Sequence, residues 1–75
     1  MTKTEIITIN STPISSKKKN IVYFDAMEND CTYRNDIKDE NTAREIMNLR
    51  KGDRVSLTVE QPAERLRIVK KIKLL

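Results

Sequence analysis

Short apolar runs, most of them alternating with polar residues, recur along the chain and are separated by polar stretches. Residues 4–10 are β-branched and apolar, which predicts a first strand with Ile7 and Ile9 on one face and Ile6 and Thr8 on the other. Residues 11–20 have the Ser, Pro and Lys content of an exposed loop. Residues 21–27 are the most apolar segment, short and bounded by polar residues, and predict a central strand. Glu28-Asn29-Asp30 reads as a turn, and residues 31–35 as a short third strand paired with the second.

The period then changes. Ala43, Ile46 and Met47 stand at i, i+3 and i+4, a narrow apolar helical face. Thr42 and Glu45 have capping-box spacing, with Asp39 and Asn41 as competing N-caps. Arg50 and Lys51 suit a last turn, and Gly52, the only glycine, is placed to end the helix in a left-handed conformation. Beyond it, Val55, Leu57 and Val59 alternate with Arg54, Ser56, Thr58 and Glu60, giving a fourth strand with one wet face. In the fifth, Leu66, Ile68, Ile72 and Leu74 share one face and Arg65, Arg67, Lys71 and Lys73 the other, with Val69 among them. Lys70 falls in the apolar register, so either its stem snorkels outward or a bulge shifts the phase there.

Seventy-five residues make one domain, 1–75, with no room for a deep cleft between subdomains. The net charge of +4, with a pI of about 9.4, favours a polyanionic partner. Cys31 is the only cysteine, so no internal disulfide forms, and a lone thiol fits a reducing compartment. There is no histidine, which removes the commonest general base and metal ligand together. One glycine cannot build a phosphate-cradling loop. Glu28, Asp30 and Asp36 lack any recognised metal-loop spacing. The expectation is a non-enzymatic, soluble, cytoplasmic chain without cofactor, metal or membrane span, monomeric or homodimeric.

The order strand, strand, strand, helix, strand, strand resembles the OB-fold, a five-stranded Greek-key barrel. The segment Lys51-Gly52-Asp53-Arg54-Val55, an alternating strand, a turn and Arg67-Ile68-Val69-Lys70 carry the resemblance, over roughly residues 42–73. They are also similar to the closing hairpin of the bacterial translation initiation factor one family. The first half departs from that family in its long loops and in lacking a glycine-rich connection between strands two and three. An SH3-like barrel is the alternative fold, since the Gly-Asp-basic-Val strand start recurs there.

In OB-folds the second and third strands face single-stranded nucleic acid, and the loops between strands one and two and between four and five act as walls. The resemblance therefore places Tyr23, Tyr33 and Arg34 on the binding face, Lys17, Lys18 and Lys19 in one wall, and Arg65 and Arg67 beside the other. Lys71 and Lys73 extend the basic row of strand five. Aromatic rings would stack bases and the cations would hold phosphates. Plainer readings stand beside these. Alternation puts Tyr23 and Phe24 on opposite faces, and Phe24 is assigned to the core. Tyr33 reads equally as a rim packing residue. The three lysines read as a solvated loop, and the strand-five row as edge protection.

The expected function is non-catalytic binding of single-stranded DNA or RNA. The alternative is a small protein-interaction module, inhibitor or adaptor. It would dock through the sheet edge of residues 21–27 or through the acidic middle, where Asp25, Glu28, Asp30, Asp36, Asp39 and Glu40 face only Arg34 and Lys38.

Overall fold

Val55, Leu57 and Val59 are buried and their neighbours are not in the computed structural model, which describes residues 2–75. The chain is mainly β with one short helix. In order come β1 (Thr2–Thr8), β2 (Ile14–Ser16), β3 (Ile21–Asp25), β4 (Thr32–Asp36), α1 (Glu40–Met47), β5 (Arg54–Ala63) and β6 (Leu66–Leu74). The six strands form one sheet in the order β1-β5-β6-β4-β3-β2. Every pairing is antiparallel except that of β4 with β6.

The expected count of five strands is corrected to six. β2 lies in the segment read as loop, because three residues, two of them serines, carry no strand signal of their own. The expected five-stranded barrel is likewise corrected to one six-stranded sheet that curls without closing. Beyond β1, Ile9 forms a single bridge with Ala26, flanked by hydrogen bonds from the Asn10 amide to the Asp25 carbonyl (3.0 Å) and from the Met27 amide to the Thr8 carbonyl (2.9 Å). Side chains secure this contact. Glu28 accepts hydrogen bonds from the Thr8 amide and hydroxyl, both at 2.7 Å. Asp25 accepts from Ser11 Oγ at 2.6 Å and Asn10 Nδ2 at 2.8 Å. These bonds hold both carboxyls below their ordinary range.

The concave side encloses the core of Ile7, Ile9, Val22, Phe24, Tyr33, Val55, Leu57, Val59 and Val69. Helix α1 packs against β6, β3 and β4, burying Ala43 and Ile46, with Leu49 just past its end. It starts and ends earlier than the reading that capped it at Thr42 and Gly52. Asp39 occupies the N-cap without a side-chain cap bond, and the helix ends before Arg50 and Lys51. Gly52 does adopt positive φ, at 93°, but in the turn that leads into β5 rather than as the helix cap. Its amide donates to the Ile9 carbonyl at 2.8 Å. A Cβ there would meet nothing within 4 Å. Gly52→Ala should therefore lose only the backbone term, about 1–2 kcal/mol, as a lower urea midpoint at unchanged m-value.

The face assignment of β6 is reversed in its first half. Arg67 and Val69 point inward and are buried, while Leu66 and Ile68 are half-buried on the outer face. Lys70 is the reason. Thr58 pairs with Lys71 and Val59 with Val69, which leaves Lys70 as the extra residue of a bulge. Past it, Ile72 returns to the core side and Lys71 and Lys73 face outward, as expected.

Candidate nucleic-acid interface

Cross-strand register sets the composition of the outer face. Ile14 pairs with Tyr23, Tyr23 with Arg34, Arg34 with Ile68 and Ile68 with Glu60. Cross-strand partners share a face, so these five residues form one row across β2, β3, β4, β6 and β5. Tyr23, Arg34 and Ile68 are half-buried, and Ile14 is 51% exposed. The row presents an aromatic ring flanked by an aliphatic side chain and a guanidinium.

Two shallow grooves flank it. One, of about 260 Å³, is lined by Ser11, Thr12, Ile14, Tyr23, Asp25 and Thr32 among others. The other, of about 330 Å³, is lined by Lys19, Ile21, Arg34, Asn35, Asp36 and Ile68. The first offers hydroxyls and a carboxylate beside an aromatic ring. The second has two cations at its border.

Lys17, Lys18 and Lys19 form the tight turn between β2 and β3, closed by a hydrogen bond from the Asn20 amide to the Lys17 carbonyl (3.3 Å). Asn20 takes φ of 56°, the left-handed conformation that asparagine tolerates. All three lysines are exposed. Neither they nor Arg34, Lys71 or Lys73 have an ion-pair partner among the described residues. Lys71 and Lys73 lie on the outer face opposite Thr58 and Ser56, on the β5–β6 part of the sheet.

Tyr33 and Arg67 belong elsewhere, and both expectations are corrected. Tyr33 is fully buried. Its register partner is Phe24, so the two rings share the inner face and stack at 5.4 Å between centroids with 10° between planes. Tyr33 Oη donates to Glu5 Oε1 at 2.7 Å and accepts from Asn29 Nδ2 at 3.0 Å. Burial and the nearby Glu5 carboxylate push its phenol well above the usual range. Arg67 is 8% exposed. Its Nε donates to Glu5 Oε2 at 3.3 Å, and its Nη1 to the Glu64 carbonyl at 3.0 Å, which ties down the β5–β6 turn. The two residues thus close one end of the core through Glu5, a residue the pattern did not single out. Glu5 lies opposite Leu57 on the inner side, which makes it the carboxylate to which both side chains converge. Although burial opposes ionisation, hydrogen bonds from Tyr33, Arg67 and Lys3 hold its carboxyl below 4.5. Arg65 stays on the surface and pairs with Asp30 at 3.4 Å.

Among the described residues, no three Cys, Asp or Glu side chains converge as a metal site, and no helix is long and apolar enough to cross a membrane. No family model, curated protein or solved structure matches the chain.

Proposed function

We propose that this chain is an OB-like module that binds single-stranded nucleic acid without catalysis, on the outer face of β3 and β4. With β2 set aside as an elaboration of the first wall loop, the remaining strands and the helix follow the order strand, strand, strand, helix, strand, strand. The helix between β4 and β5 supports the OB-like reading over the SH3-like one, and an incompletely closed sheet is compatible with an OB barrel.

The row of Tyr23 and Arg34, bordered by the unpaired lysine turn, carries the functional reading. A ring accepts any base by its face, and unpaired cations exchange their counterions for phosphates. The site is Tyr23, Arg34 and Lys17 to Lys19, with Lys71 and Lys73 as a second cationic strip on the same outer surface. The protein-docking alternative is less well supported. Asp25, Glu28, Asp30, Asp36 and Asp39 are occupied by Ser11, Thr8, Arg65, the Lys38 amide and Asn35, so five of the six acidic residues of the stretch are engaged locally.

Fluorescence-anisotropy titration of labelled single-stranded DNA and RNA at two salt concentrations tests the proposal. Affinity should fall steeply with salt. Tyr23→Ala should weaken binding by about 1–3 kcal/mol, roughly 5- to 150-fold, and Arg34→Ala should reduce the salt slope by about one phosphate contact. Both side chains lie outside the core, so the melting temperature should stay close to that of the parent. Absence of salt-dependent binding to either polymer overturns the reading.

A further inference from the structure

The two ends of the sheet are unequal. β2 offers an edge of three residues, whereas β1 runs for seven and is paired with β5 on one side only. Its backbone polarity can be read from the hydrogen bonds at its end. Ile9 bonds toward the turn before β5, donating to the Asp53 carbonyl and accepting from the Gly52 amide. Thr8 bonds the opposite way, to Met27 and Glu28. Alternation therefore points the N–H and C=O groups of Thr4 and Ile6 away from β5, and neither takes part in a backbone bond on that side among the described residues. Glu28 occupies the outward amide of Thr8, which leaves the stretch up to Ile6 as the open template. Thr2, Lys3, Thr4 and Ile6 are all exposed, Ile6 at 53%.

We propose that this edge pairs antiparallel with the β1 edge of a second copy of the chain, about a two-fold axis at Thr4. Charge selects both the partner and the register. A two-fold at Lys3 sets Lys3 against Lys3, and one at Glu5 sets Glu5 against Glu5; each places like charges directly opposite, which is destabilising. A two-fold at Ile6 brings Thr4 against the Thr8 amide that Glu28 already holds. The two-fold at Thr4 sets Lys3 of each copy against Glu5 of the other, so the Lys3–Glu5 pair that each chain makes at 3.4 Å becomes half of an alternating cluster of four charges, and it lets the two Thr4 residues exchange both backbone hydrogen bonds. The edge is thus complementary to itself in one register. Lys3, which on an isolated edge discourages pairing, here supplies the matching charge. Only about five residues per copy pair, so the dimer is a weak one that forms at high concentration. It leaves the Tyr23–Arg34 face uncovered and does not depend on what that face binds.

Sedimentation equilibrium over a concentration series reaching on the order of 100 μM should show reversible dimerisation. Thr4→Pro removes an outward amide and leaves the β5 ladder intact, since edge strands accept proline where the N–H faces outward. It should give a monomer whose far-ultraviolet circular dichroism matches the parent. Lys3→Glu should weaken the dimer at least tenfold. A short bismaleimide should cross-link Thr4→Cys into a covalent dimer but not Ser15→Cys on the opposite edge. A protein monomeric at every concentration, or one cross-linked through Ser15→Cys and not Thr4→Cys, overturns the proposal.

Discussion

Tyr33→Ala is expected to destabilise the domain by about 3–5 kcal/mol, the cost of removing a large buried aromatic. Domains as a class hold only about 5–15 kcal/mol in total, and a small one sits at the low end. A large unfolded population at room temperature is therefore the expected result. The loss has two parts. The ring stacked on Phe24 leaves a void, and Glu5 and Asn29 lose the hydroxyl that joins them. Tyr33→Phe separates them, because it keeps the ring. It should cost about 1–2 kcal/mol, the price of two unmet polar groups. Urea denaturation followed by circular dichroism measures both variants. An oligonucleotide titration of Tyr33→Phe should match the parent, since a residue with no exposed surface cannot stack a base. A Tyr33→Ala protein of parental stability would contradict the assignment of this ring to the core.

Arg67→Ala carries the second large effect. The Arg67–Glu5 pair is 10% and 19% exposed at its side chains. Removing one partner of a fully buried pair costs about 3–5 kcal/mol, and partial exposure brings the expectation here to about 3 kcal/mol. The β5–β6 turn should loosen as well, because Arg67 Nη1 no longer binds the Glu64 carbonyl. Acid reports the same network. Glu5 has a folded pKa below its ordinary value of 4.5, so the folded state holds its proton less tightly than the unfolded state. Its contribution is complete above the ordinary value and disappears as pH falls through the depressed one. Asp25 and Glu28 are shifted the same way, so the diagnostic quantity is a difference between proteins. Stability of Glu5→Gln, measured by urea titration from pH 6 downward, should start lower and decline less steeply than that of the parent. Parallel pH profiles for the two would rule out Glu5 as a contributor.

The parts of the fold that were legible in the sequence are those where one strand reports its own environment. Val55, Leu57 and Val59 alternate cleanly, and Phe24 was correctly set inside. Lys70 stands out in the pattern as a misfit with two explanations, a snorkelling stem or a bulge, and the β5–β6 register selects the bulge. The misplacements arise where the answer depends on a partner distant in sequence. Arg67 reads as an outward charge until Glu5, sixty-two positions away, is known to lie opposite it. Tyr33 depends on hairpin register. With Asp25 paired to Thr32, Phe24 meets Tyr33, but a shift of one residue in the connecting loop would turn Tyr33 to the other face. The row of Ile14, Tyr23, Arg34 and Ile68 was only partly visible for a related reason. Tyr23 and Arg34 could be named from composition and resemblance, whereas Ile14 and Ile68 join them through pairings of strands that are not neighbours in the chain or were not seen as strands.

The pairing of β1 with β5 governs how the chain reaches this structure. Thr8 meets Arg54 forty-six positions on, and Thr2 meets Glu60 fifty-eight positions on. The parallel contact of β4 with β6 adds a further separation, with Thr32 meeting Leu66. A topology of such high contact order must close large loops before its pairings reward it, and this puts the folding time of β-rich domains at roughly milliseconds to seconds. During synthesis the first strand emerges long before its ladder exists. Its Ile-rich segment stays without its partner strand until β5 has left the ribosome, so the β1–β5 ladder waits for residues 54–60.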